Sequence, residues 1–224
     1  MKRAFEKRRR RIPAAVHRSA RRTPPPEGTR DVILQAALRV LGRDGFPALT
    51  ARNIASEAGT NLALLNYYFG TKDGLLLALF DALDAERVAR QRALYADPAQ
   101  TLSEKWRRAV EFYRADLADG YVRVLQELTA HAYSNDRVRV RLREHTRTWR
   151  GVLVDAARAH MPGLGIDLDP EMLANAVGTF WLGMETQHLT GVTEQEGMFF
   201  ATLDRIGEWI QERERRGGKR RARA

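Results

Sequence analysis

Residues 50–72 read TARNIASEAGTNLALLNYYFGTK, and this stretch decides the fold. Thr50 is an N-cap by type, because its hydroxyl can accept from a free first-turn N–H. Ile54, Ala55 and Ala58 give the helix that follows an inner face, and Ala58-Gly59-Thr60 turns the chain. Asn61 is placed to cap a second short helix that ends near Phe69-Gly70. Two short helices across a glycine-containing turn make a helix-turn-helix, whose second helix enters the DNA major groove.

Reading that second helix at about 100° per residue, with Leu65 inward, puts Tyr68 and Phe69 beside it. Ala63 and Tyr67 then point the opposite way, and Leu64 and Asn66 lie on the flanks. A small residue such as Ala63 allows close approach to base edges, and Asn61 or Asn66 can pair with adenine N6/N7. Tyr67 can bond a phosphate or stack, and Lys72, opening the next helix, suits a phosphate. The candidate DNA-binding residues are Thr50, Arg52, Asn61, Leu62, Ala63, Asn66, Tyr67, Tyr68 and Lys72. On spacing alone, Leu64, Tyr67 and Tyr68 suit plain packing against the rest of the protein equally well.

The pattern Thr50, Ile54-Ala55, Ala58-Gly59, Asn61, Leu65, Tyr68-Phe69-Gly70-Thr71-Lys72-Asp73, Leu75 resembles the DNA-binding domain of the TetR family of bacterial transcriptional regulators. The resemblance is dense from about Thr29 to Leu83 and architectural beyond. It implies an all-α fold. An N-terminal three-helix DNA-binding domain over 27–86, with its helix-turn-helix at 50–69, is linked by a fourth helix to an α-helical ligand-binding and dimerisation domain over 87–212. It also implies a homodimer on a palindromic double-stranded operator, paired through its last two long helices (about 171–190 and 196–212). Such a protein is most often a repressor released by a small-molecule effector. Family members often carry tyrosine after the leucine of the recognition helix. Asn66 stands there instead, which leaves the domain assignment intact and makes the operator harder to infer.

The 224 residues carry a net charge of +10, unevenly placed. Residues 1–22 hold +9 and residues 213–224 hold +6, leaving −5 for the remainder, and the segment 27–95 is balanced. The basic character belongs to the ends, read as a disordered arginine-rich arm over 1–26 and a basic disordered tail over 213–224. The arm, stiffened by Pro24-Pro25-Pro26, can add phosphate contacts or enter a minor groove. With no cysteine there is no disulfide, thiolate zinc site or cysteine nucleophile. No apolar run approaches the roughly 20 residues of a membrane span, and no signal sequence is visible, so a cytoplasmic location is expected.

Helical stripes account for the rest. Ile33, Ala36, Ala37, Val40 and Leu41 mark the first helix, and a long fourth helix, capped by Thr71, runs to a break at Asp97-Pro98. Thr101 and Glu104 form a capping box. Val138, Leu142, His145, Trp149, Val152 and Ala156 mark a long helix ended by Pro162-Gly163. Asp169-Pro170-Glu171 starts the next, and Thr193 to Glu196, a second capping box, opens the last.

A ligand pocket between the later helices is expected. Its candidate lining is Trp106, Phe112, Tyr113, Tyr121, His131, Tyr133, Trp149, Phe180, Trp181, Met184, Glu185 and His188, with Glu185 and His188 one turn apart as an acid–imidazole pair. Any one of these aromatics also suits the core. The five histidines form no close i, i+4 pair, so no metal or cofactor is expected. No nucleophile–base pair, paired carboxylates or phosphate loop supports an all-helical enzyme, and no catalytic residue is assigned. A sequence-non-specific basic DNA-binding protein is the other alternative.

Overall fold

The structure, a computed structural model, describes residues 28–221, with side chains through Gly217. The expected arm and residues 222–224 lie outside the described residues. Among the described residues the regular elements are helical, ten α-helices and one 3-10 turn.

Three helices make the N-terminal unit: α1 (Thr29–Asp44), α2 (Ala51–Glu57) and α3 (Leu62–Phe69). The predicted stripe of α1 is buried throughout, with Ile33, Ala36 and Ala37 fully so. Thr50 and Asn61 cap α2 and α3 as their types require, accepting from Asn53 N at 3.2 Å and Leu64 N at 2.9 Å. The long α4 (Lys72–Ala96) follows at once, capped by Thr71. Gly74 in its first turn is obligatory, because a Cβ there would lie 2.0 Å from the Phe69 carbonyl oxygen. The end of α3 is thereby held hard against the start of α4.

The remaining helices are α5 (Leu102–Ala118), α6 (Tyr121–Ala132), α7 (Asp136–Leu164), α8 (Pro170–Leu189), the single turn α9 (Glu194–Gly197) and α10 (Phe199–Arg221). A continuous apolar core runs from α1–α3 through α4, α6 and α7 to Leu203 of α10. Gly120, at φ +85°, opens α6 and leans on Leu41 of α1, so the N-terminal unit touches the larger helical body directly.

Three helix ends differ from expectation. α7 passes through Pro162-Gly163. Proline in the last turn forfeits one helical bond, and Gly165 closes the helix, with Ile166 N–H on the Met161 carbonyl at 3.2 Å. The Thr193–Glu196 capping box forms but closes only α9, since Met198 turns left-handed at φ 47°. The last helix therefore begins at Phe199, capped by the Glu194 carboxylate, which accepts from Phe200 N at 2.9 Å and Ala201 N at 3.2 Å. Where a disordered tail was expected from 213, α10 continues to Arg221. Its Glu214 accepts from Leu102 N and Ser103 Oγ, both at 2.7 Å, at the start of α5.

Candidate nucleic-acid interface and ligand cavity

Burial sorts the α3 side chains as the angular reading predicts. Leu65 and Phe69 are buried, while Leu62, Ala63, Asn66 and Tyr67 face outward. Tyr68 is half-buried against the core, and its ring meets that of Tyr67 edge-on at 5.2 Å between centroids. Tyr68 thus supports the Tyr67 ring from the core side. Asn61 is exposed, and its Oδ1 caps α3. Arg52 and Lys72 are exposed. Arg39 and Arg43 are spent on Glu57 at 2.8 and 3.0 Å, tying α1 to α2. The outward surface of α3 is consequently small, amide-bearing and aromatic, with cations at its margins.

A polar network ties α4 to the larger body. Asp84, buried within the apolar stripe of α4, takes Tyr121 Oη at 2.9 Å, a ring nitrogen of His145 at 3.0 Å and Trp149 Nε1 at 3.0 Å on one carboxylate oxygen. Arg141 reaches the other at 3.4 Å. Burial alone would push the carboxyl up, but the His145 bond and charge, with those from Trp149 and Tyr121, hold it down at about 2. One turn on, Arg87 pairs with Asp116 at 2.7 Å and with Asp119, and Arg90 also pairs with Asp116. At the N-terminal end of α4, Asp73 accepts from Asn135 at 3.0 Å and lies 3.6 Å from His131.

A cavity of about 680 Å³ opens among α5, α6, α7 and α8, with Gln91 and Tyr95 of α4 in its wall. Trp106, Tyr113, Tyr121, Trp149, Trp181 and Glu185 line it, six of the residues expected at a pocket. The others lie elsewhere. His131 pairs with Asp73, and Phe112 is covered by Arg90 and Arg108. Tyr133 is exposed, while Phe180 and Met184 border a separate cleft of about 250 Å³. His188 is exposed and meets Phe199 edge-on. One turn of helix separates Glu185 from His188, but only Glu185 faces the cavity, and its partner is Gln126 Nε2 at 3.0 Å. Burial pushes the Glu185 carboxyl up to about 7. Tyr113 contacts Trp181 at 4.7 Å between ring centroids, and burial also pushes its hydroxyl up.

Sequence reasoning missed Asp84, His145, Gln91 and Gln126 as site residues. A signal was present for three of them, because Asp84 and Gln91 continue at helical spacing the apolar stripe of Leu76, Phe80 and Leu83, and His145 stands in the stripe of Val138, Leu142 and Trp149. Among the described residues, no group of three or more metal-ligating side chains could hold a metal ion, and no helix is long and apolar enough to cross a membrane.

With this geometry in place, the comparisons with known proteins agree. The family model for bacterial regulatory proteins, tetR family, matches residues 33–79. The chain is 31% identical over 157 residues to the HTH-type transcriptional regulator BetI of Brucella canis, covering 65% of this chain and 79% of that one. It is 34% identical over 86 residues to the HTH-type transcriptional repressor NicS of Pseudomonas putida, covering 37% and 41%. In fold it is similar to a transcriptional regulator from Saccharomonospora viridis solved in complex with choline, with TM-score 0.63 and 22% identity over 84% of this chain and 95% of that one.

Proposed function

The chain belongs to the tetR family of bacterial regulatory proteins, and from that premise we propose that it represses transcription as a homodimer on a palindromic operator, released when a small molecule fills the cavity. It is a ligand-responsive, DNA-binding transcriptional regulator and not an enzyme. The finer reading divides the chain within α4. Residues 27–86 bind DNA, and the body from 87 onward senses ligand and dimerises. Both activities belong in the cytoplasm.

The observation that carries the reading is the Asp84 network. Its α6 and α7 partners Tyr121, His145 and Trp149 all line the cavity, and Asp84 lies on the same rigid helix that abuts α3. A ligand that draws those side chains away from Asp84 favours a different seat for α4. Two recognition helices about one DNA turn apart then cease to fit both half-sites. The switch requires only that the ligand bind one seat of α4 better than the other. Leu62, Ala63, Asn66 and Tyr67 read bases, with Arg52, Lys72 and the Thr50 end of α2 on the backbone.

Pairing through α8 and α10 is supported by how little α8 buries. Between Met172 and Met184 it is apolar on more than one face, yet only Ala174 and Met184 are buried, and Met172, Phe180 and Leu182 stand exposed. A helix of that composition calls for cover on a second face.

Footprinting with the purified protein on DNA flanking its own gene tests the proposal. A protected palindrome is expected. Binding that is equal on operator and random duplexes would overturn it. Asn66→Ala is expected to lose about 1–3 kcal/mol of operator discrimination. Lys72→Ala is expected to weaken binding to every sequence and to reduce the salt slope by about 1.

A further inference from the structure

Three carboxylates lie in or behind the cavity wall, and they are not equivalent. Asp84 is met by Arg141, His145, Tyr121 and Trp149, and Asp116 by Arg87 and Arg90. Glu185 has only the neutral amide of Gln126, and no ion pair among the described residues involves it. An ionised Glu185 accepts only. A largely buried carboxylate in this condition costs free energy unless a further donor meets it. The cavity wall that Glu185 shares is aromatic, and the faces of such rings attract cations.

We propose that the cavity takes an organic ammonium, its charge against Glu185 and its apolar part among Trp106, Trp149 and Trp181. This rests on reading the cavity as the effector site and adds the class of effector. The other charged groups facing the space do not compete for the cation. Asp116 is neutralised by two arginines. Arg139 and Arg150, which line the cavity at exposed positions on α7, pair with Asp136 and Glu171, and Arg143 and Arg147 lie at exposed positions on the same helix. Every exposed lining residue is on α7 or α8, so the mouth lies between those helices and its arginines are screened by solvent. The raised Glu185 carboxyl is the counterpart of the same vacancy of charge. It holds a proton near neutrality, and an arriving ammonium displaces it.

The test is calorimetric titration of the full chain with phenethylammonium and with 2-phenylethanol, an uncharged molecule of similar size. The ammonium is expected to bind at least about tenfold tighter. Glu185→Gln keeps the shape and the Gln126 bond, and is expected to bring the two within about threefold of each other. Between pH 8 and pH 6 the ammonium affinity of the natural chain falls about tenfold, as a carboxyl titrating near 7 gains its proton, while the alcohol is unaffected. Equal binding of both molecules, a preference that survives Glu185→Gln, or no heat with millimolar ammonium would each overturn the inference. The readout needs no DNA. A chain that protects an operator but prefers the alcohol loses only the ammonium site, and one that binds ammonium through Glu185 but protects no operator loses only the regulator reading.

Discussion

Asp84 and Glu185 carry the same functional group, and the protein treats them oppositely. At Asp84 three neutral or cationic donors outweigh burial, so the folded carboxyl titrates at about 2, below its ordinary 3.8. That contribution to stability is present above the ordinary value and is lost as pH falls towards 2. At Glu185 burial dominates, and the folded carboxyl titrates at about 7, above its ordinary 4.5. The folded state there prefers the protonated form, so its contribution is present below 4.5 and is lost as pH rises through 7. Urea unfolding at pH 5 and pH 8 is expected to show the natural chain losing about 2 kcal/mol more than Glu185→Gln over that interval. Parallel losses would contradict the burial of this group. Neither behaviour was legible in the sequence. Both acids sit in apolar stripes, and what distinguishes them is partners 37 to 65 residues away in one case and a neutral amide 59 residues away in the other.

Elements were more legible than their ends. The stripes of α1 and α4 and the caps at Thr50, Asn61, Thr71 and Asp169 are local signals, and the chain obeys them. The misread ends depend on contacts that no local pattern encodes. A capping box at Thr193 opens only one turn because Met198 reverses, and α10 outlasts its apolar stripe because Glu214 reaches α5. Lining residues divide for a related reason. Trp181 and Met184 are three positions apart on α8, yet the first meets the cavity and the second the adjoining cleft. Helical period places a residue on a face, and only the neighbouring helices decide whether that face meets a wall or a void. The reach of Glu214 can be tested. Glu214→Ala strips a helix start and a buried serine of their acceptor, and a loss of about 1–2 kcal/mol in chemical unfolding is expected. An unchanged midpoint would mean that the end of α10 contributes nothing to stability.

For the whole molecule, the balanced charge of the DNA-binding unit leaves long-range attraction to the termini. Deleting residues 1–22 is expected to lower operator affinity and flatten the salt slope while preserving sequence preference. A changed preferred site would show that this segment reads bases itself. The other consequence lies at Gly120, where the two halves meet. A Cβ there would stand 3.0–3.3 Å from the side-chain carbons of the buried Leu41, on a backbone at φ +85° that side chains resist. Gly120→Ala is therefore expected to cost about 1–3 kcal/mol in thermal or chemical unfolding. The joint has no room for a side chain: Leu41 of the N-terminal unit packs over bare backbone of the larger helical body. Under the switching proposed above, Gly120 becomes a stop against which α1 swings or slides past the start of α6.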